Sequence, residues 1–79
     1  MAFGEKQIAP VREVEITING EKKSLEDGST VASLLLGMKY AKSKTAVWVN
    51  TKQLLMAEYE THILLPGDEL KIIRLFGGG

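Results

Sequence analysis

From Glu13 to Ile18 the chain reads Glu-Val-Glu-Ile-Thr-Ile, apolar at every second position. A period of two belongs to a strand with one buried face, so Val14, Ile16 and Ile18 are expected to point inward. Asn19-Gly20 comes next, a pair that tolerates positive φ at both turn positions and predicts a tight type I′ hairpin. Glu21 to Leu25 is then the return strand, with Leu25 inward. Glu26-Asp27-Gly28-Ser29 breaks the strand, and Ser29 or Thr30 can cap a helix by accepting a hydrogen bond from a free backbone N–H. Val31, Leu34, Leu35 and Met38 fall on one helical face. The helix is expected from Val31 to about Met38 or Tyr40, weakened by Gly37.

Beyond the helix, Thr45 to Val49 is rich in β-formers, with Val47 and Val49 on one face. Asn50-Thr51-Lys52 predicts a turn and Gln53 to Leu55 a short strand. Met56 to Thr61 reads as a helical turn or loop containing Tyr59. Leu64 is expected to be buried ahead of the turn Pro66-Gly67-Asp68. Glu69 to Leu75 is the final strand, with Leu70 and Ile72 inward. The predicted order ββαβ(β)β is an α+β layout: a mixed sheet of four to five strands with one main helix packed on one face. The other face is left to water or a partner. A right-handed crossover would set the last strand beside the first, the β-grasp (ubiquitin-like) arrangement. Residues 1–12 lack periodicity and are expected to form a mobile extension. The β-grasp domain is expected over 13–75 and a flexible glycine tail over 76–79.

Composition narrows the chemistry. A chain of 79 residues holds one domain. Ten basic residues balance ten acidic ones, so no net field attracts a polyanion and no nucleic-acid partner is expected. Lys39, Lys42 and Lys44 are the one basic cluster, read as a solvated loop. No cysteine is present, which excludes disulfides, thiolate metal sites and a side-chain persulfide. There is a single histidine, His62, fewer than a metal site of the His and carboxylate type normally needs, and none is expected. No apolar run approaches the roughly 20 residues of a membrane span, and the opening residues do not read as a charged-then-apolar leader, so none is expected. The expected location is the cytoplasm, without a membrane partner.

The sequence closes on Phe76-Gly77-Gly78-Gly79. Glycine loses the most entropy on ordering and buries nothing, so this is no packing solution. A frayed terminus is the bland reading. The combination with the fold favours another. The segments Gly28-Ser29-Thr30-Val31-Ala32-Ser33-Leu34-Leu35, Val47-Trp48-Val49-Asn50, Leu64-Leu65-Pro66-Gly67-Asp68-Glu69-Leu70 and Ile73-Arg74-Leu75-Phe76-Gly77-Gly78-Gly79, in that order and spacing, resemble the ThiS family of ubiquitin-like sulfur carriers. The related MoaD carriers of molybdopterin synthesis share the Gly-Gly end but tend to carry prolines shortly before it, where this chain has Leu75-Phe76. Asn50-Thr51-Lys52 stands where the ThiS family often has Asn-Gly-Glu, and Ile63 and Leu65 are apolar where polar residues are common.

The resemblance implies a β-grasp protein that is not itself an enzyme. An adenylating (ThiF- or MoeB-like) activating enzyme would use ATP and magnesium to adenylate the Gly79 carboxylate. A sulfide or persulfide donor would then leave a C-terminal thiocarboxylate. An acceptor such as thiazole synthase would take the sulfur, in thiamine (thiazole) biosynthesis. Gly77 and Gly78 would thread the tail into a narrow site. No cofactor would be bound by the chain, which would be a monomer when free. A carrier of molybdopterin synthesis or another pathway, a ubiquitin-like protein modifier, and a plain binding module with a frayed end remain open.

Other residues bear on catalysis or partner binding. His62 lacks a nucleophile to activate and is expected to be a surface or half-buried packing residue. Tyr59 is expected to pack under its loop with the hydroxyl at the edge. The period of two sends Trp48 to the face opposite Val47 and Val49, and sets Ile73 and Leu75 away from Leu70 and Ile72. Trp48, Ile73 and Leu75, with Arg74 at the rim and Phe76 beyond, are the expected partner-binding residues.

Overall fold

A computed structural model of the chain describes residues 12–75. The expectations for residues 1–11 and for Phe76 to Gly79 lie outside the described residues. Five strands and one helix occur in the order β1 (Glu13–Ile18), β2 (Glu21–Glu26), α1 (Val31–Met38), β3 (Thr45–Val49), β4 (Lys52–Gln53) and β5 (Glu69–Arg74). Short 3₁₀ turns occupy Lys42–Lys44 and Met56–Glu58. The sheet order is β2-β1-β5-β3-β4. β1 and β5 are parallel and the remaining pairs antiparallel. The last strand therefore lies beside the first, in the β-grasp arrangement expected from the element order.

The first hairpin obeys its pattern. Val14, Ile16 and Ile18 are buried. Asn19 and Gly20 both take positive φ, 51° and 87°, the requirement of a type I′ turn. Leu25 is half-buried rather than buried, because β2 is an edge strand, but it packs against the core. The carbonyl of Arg12 accepts from the Asp27 N–H at 2.8 Å, so pairing reaches one residue into the segment expected to be an extension.

Thr30 is the helix cap. Its Oγ1 accepts from the Ser33 N–H at 3.1 Å, and the Ser33 Oγ accepts from the Thr30 N–H at 2.9 Å. This reciprocal bonding satisfies two donors at the helix start. Val31, Leu34 and Leu35 are buried, and Met38 packs against them from the margin. The helix passes through Gly37 and stops at Lys39, which adopts the left-handed conformation at φ 64°. The N–H groups of Lys39 and Tyr40 close the end on the carbonyls of Leu36 and Leu35.

The second hairpin is tighter than expected. Asn50 and Thr51 both take positive φ, 50° and 74°, so the loop has two residues and Lys52 already belongs to β4. The strand expected over Gln53 to Leu55 is thus Lys52–Gln53. Leu54 then turns into the core while Leu55 is exposed. The core contains the expected Val14, Ile16, Ile18, Val31, Leu34, Leu35, Val47, Val49, Leu64, Leu70 and Ile72, and adds Leu54 and Tyr59.

Tyr59 is more deeply placed than a loop residue with an edge hydroxyl. It is only 2% exposed, and its hydroxyl donates to the Thr45 carbonyl at 2.9 Å. Burial raises its pKa above the ordinary 10.0, with the Val47 backbone pulling weakly the other way. The ring thereby joins the irregular segment after β4 to the start of β3.

Candidate functional site

The site begins with how the last strand is held. Two asparagines, each in a left-handed turn, use their side chains as substitute backbone for β5. The Asn19 Oδ1 accepts from the Ile72 N–H at 3.0 Å, and its Nδ2 donates to the Ile72 carbonyl at 3.1 Å. Its own backbone N–H donates to the Leu70 carbonyl at 2.9 Å. A side-chain amide has the donor and acceptor of a peptide group, so parallel pairing continues past the point where β1 turns away. On the other side, the Asn50 Oδ1 accepts from the Glu69 N–H at 2.9 Å. Its Nδ2 donates to the buried Asp68 carboxylate at 2.9 Å, and Asp68 also accepts from the Leu65 N–H at 2.9 Å. The start of β5 is fixed by one turn and its middle by the other.

Past Arg74 the chain continues along β3, where the Leu75 N–H donates to the Lys44 carbonyl at 2.7 Å. Residue 75 therefore leaves the sheet beside the loop that joins α1 to β3.

The two faces of β5 differ. Leu70 and Ile72 face the helix and are buried. Lys71 stands opposite Trp48, and Ile73 opposite Ala46, across the antiparallel pair. These side chains lie on the face that the helix does not cover. The Lys71 ammonium sits 5.8 Å from the centre of the Trp48 ring, within the range of a cation–π contact. Trp48 is half-buried and Ile73 is 38% exposed. Both line a shallow hollow with Thr17 and Lys71, set between the two asparagine turns.

The expected partner-binding residues are thus only partly together. Trp48 and Ile73 share the open hollow. Leu75 is exposed but borders a separate hollow at the end of the strand. Arg74 does not rim the open face. Strand alternation places it on the helix side, where its guanidinium lies 4.6 Å from the centre of the Tyr40 ring. Phe76, Gly77, Gly78 and Gly79 lie outside the described residues. His62 is half-buried, and its carbonyl accepts from the Val31 N–H at 3.1 Å. Its backbone thereby helps to seat the first turn of the helix.

Sequence reasoning does not find the side-chain work of Asn19 and Asn50, because their strand partners are remote or depend on register. Nor does it join Arg74 to the Lys39–Lys44 loop. Among the described residues, no group of three or more His, Asp or Glu is placed to hold a metal ion. No helix among them is long and apolar enough to cross a membrane.

Comparison with known proteins gives three findings. The model of the ThiS family matches residues 8–79. A thiazole synthase of Magnetococcus marinus is 32% identical over 66 residues, covering 84% of this chain but 20% of that protein. The chain thus spans about a fifth of that relative's length. Two solved structures of a thiamine biosynthesis protein (ThiS) of Geobacter metallireducens, each 23% identical, share the fold. The crystal structure has a TM-score of 0.70, with 84% of this chain and 100% of that one covered. The solution structure has a TM-score of 0.68, with 84% and 88% covered.

Proposed function

This chain belongs to the ThiS family, and from that premise we propose that it is a sulfur carrier of thiamine (thiazole) biosynthesis, with the Gly79 carboxylate as its working group. An adenylating enzyme joins that carboxylate to the α-phosphate of ATP, and magnesium pyrophosphate leaves. Hydrosulfide attacks the acyl carbon, the bond to the AMP oxygen breaks, AMP leaves, and a thiocarboxylate remains. An acceptor enzyme then takes the sulfur. The chain contributes no catalytic group. Its part is to present the terminus.

The observation that carries this reading is the anchored last strand running directly into a glycine terminus. β5 is held from both sides as far as Ile72, is paired with β3 to its end, and leads within two residues to Phe76-Gly77-Gly78-Gly79. Five extended residues from Leu75 reach roughly 17 Å, enough to enter a cleft while the globule stays outside. Glycines leave that path unobstructed. Trp48 and Ile73 supply an apolar anchor for the activating enzyme on the uncovered face of the same strand. The thiazole synthase of Magnetococcus marinus contains a segment similar to this chain, which supports a thiazole synthase as the acceptor.

The test is ATP–pyrophosphate exchange with the adenylating enzyme of the same organism. Deleting Gly79, or adding one residue after it, moves the carboxylate by about 3.4 Å. A misplacement of roughly 1 Å can already cost about 100-fold, so both variants should lose exchange by at least about that factor. Gly78→Val, which keeps the length but crowds the path, should also lose exchange. Near-normal exchange by the shortened and lengthened chains overturns the reading. Mass analysis of the purified terminus separates a thiocarboxylate, one sulfur in place of one oxygen, from conjugates to other proteins.

A further inference from the structure

Asn19 and Gly20 carry more chemistry than a turn requires. An asparagine followed by glycine can close on itself: the glycine nitrogen attacks the asparagine side-chain carbonyl carbon, Cγ, and no side chain on the glycine obstructs that approach. Both residues are exposed. Among the described residues, nothing beyond the chain neighbours of Gly20 lies within 4 Å of where its side chain would begin. Water therefore reaches the pair. What the fold adds is a clasp. The Asn19 N–H donates to the Leu70 carbonyl at 2.9 Å. Its Nδ2, the nitrogen that ring closure would expel, donates to the Ile72 carbonyl at 3.1 Å, and its Oδ1 accepts from the Ile72 N–H at 3.0 Å. Both ends of the side-chain amide are held against β5 rather than left to swing toward Gly20. The other asparagine turn differs, because Asn50 is followed by Thr51, whose stiff β-branched side chain crowds the nitrogen.

We propose that Asn19 is a deamidation site latched by β5: protected while the strand is seated and, once converted, unable to hold it. The steps balance without an oxidant or a cofactor. The Gly20 nitrogen loses its proton and bonds to the Asn19 Cγ, the Cγ–Nδ2 bond breaks, and Nδ2 leaves as ammonia. Water then opens the five-membered succinimide at either carbonyl. One opening gives aspartate. The other gives isoaspartate, with the backbone rerouted through Cβ and Cγ. Both products fail at β5. A carboxylate accepts hydrogen bonds and donates none, so aspartate sets an anionic oxygen against the Ile72 carbonyl where Nδ2 stood. Isoaspartate lengthens a two-residue loop whose length fixes the hairpin register. Ring closure first requires the clasp to let go, a local opening rather than global unfolding. Each conversion is therefore a one-way record of β5 having come away from the first turn. The latch involves only atoms of this chain and does not depend on the carrier reading.

The test follows the full chain over time in mildly alkaline buffer, folded in one sample and unfolded by urea in another. Trypsin, cutting after Arg12 and Lys22, isolates Glu13 to Lys22 with Asn19 as its one asparagine. Mass spectrometry of that fragment reads the replacement of NH₂ by OH. The folded chain should convert at least about tenfold more slowly than the unfolded one, because both amide bonds to Ile72 must open first. The converted chain is then separated by its added negative charge on an anion exchanger. Hydrogen exchange at its Ile72 amide should be about tenfold faster than in the unconverted chain. Asn19→Asp supplies the aspartate product without the rerouted backbone and should show the same rise. Equal rates of conversion in the folded and unfolded chains overturn the latch, whatever the variant does. So does conversion at Asn50 ahead of Asn19, or a chain that does not convert at Asn19 even in urea. Unchanged protection of Ile72 in both the converted chain and Asn19→Asp overturns it as well, by showing that the strand stays seated without the amide.

Discussion

The two faces of β5 carry the same backbone and opposite tasks. On the helix side, Leu70 and Ile72 are buried among residues from β1, β3 and α1. On the open side, Lys71 and Ile73 share a shallow hollow with Trp48. The first face has many partners within the chain. The second has a cross-strand neighbour or two and then solvent. A single sheet covered by one helix always leaves this asymmetry. It lets one strand anchor the fold and still offer a surface, and the strand that does both here is followed in the sequence by Leu75 and Phe76-Gly77-Gly78-Gly79. Stability should therefore respond to one face and partner binding to the other.

The largest effect should come from the buried side. Leu35 is fully buried on α1 against the sheet, so Leu35→Ala should cost about 2–5 kcal/mol of unfolding free energy, measured by urea denaturation. In a domain this small that is most of the stability. A loss below about 1 kcal/mol would mean that the helix-side face does not dominate folding, and the contrast would fail.

Tyr59→Phe comes next. It leaves the ring in place but strips the Thr45 carbonyl of its buried donor, which should cost about 1–3 kcal/mol. It should also change the alkaline limb of stability. Burial favours the neutral phenol, so the folded-state pKa lies above the unfolded value of 10.0. That contribution is complete below the unfolded value and is lost as pH rises through the folded one. The wild type should weaken above about pH 10 more steeply than the Phe variant. Identical alkaline slopes would show that the hydroxyl is not buried in solution.

The asymmetry is largely legible in the sequence, because it is written in alternation. Glu13 to Ile18 and Glu69 to Arg74 show their buried faces as every second residue, and the same rule sends Trp48 and Ile73 outward. The mixed sheet and its single helix are implied by element order. The features that escape depend on register. The Asn19 amide meets Ile72 at a separation of 53 residues, and nothing local in Asn-Gly signals more than a turn. Arg74 looks like a rim residue of the open face because its sequence neighbours Ile73 and Leu75 are apolar, yet alternation places it with Leu70 and Ile72. Tyr59 reads as a loop residue because its segment has no period. Its burial depends on the distant start of β3. The second turn differs from expectation by a residue because Thr51, a β-branched residue, takes a positive φ that such residues rarely adopt.

Asn19→Gly sharpens the comparison at the strand's edge. Glycine keeps the type I′ turn, which needs positive φ, but removes both side-chain bonds to Ile72. Each such bond contributes about 1 kcal/mol net, and water can reach this partly exposed site. The loss should therefore be about 1–2 kcal/mol, with faster hydrogen exchange concentrated at the Ile72 amide. Unchanged protection at Ile72 would show that the asparagine amide does not act as strand backbone.

The smallest effect on folding should come from Trp48→Ala, and this substitution tests the comparison most directly. Trp48 is the largest side chain on the open face. If size alone set the cost, its removal should rival that of Leu35. It is only half-buried, however, and its ring meets Lys71 rather than the helix. The cation–π contact is solvent-exposed and contributes about 0.5–1 kcal/mol. Part of the ring area is already in water, so little burial is lost. The expected change in unfolding free energy is about 1 kcal/mol or less. Binding to the proposed activating enzyme should respond far more, by about 2 kcal/mol or above if the ring is a hot spot, measured by calorimetric titration on folded protein. Two outcomes break the comparison in different ways. If the variant unfolds, the open face contributes to folding like the covered one, and Trp48 belongs to the core. If it folds and binds normally, the open face is merely uncovered, and the enzyme contact of the carrier reading lies elsewhere on the molecule.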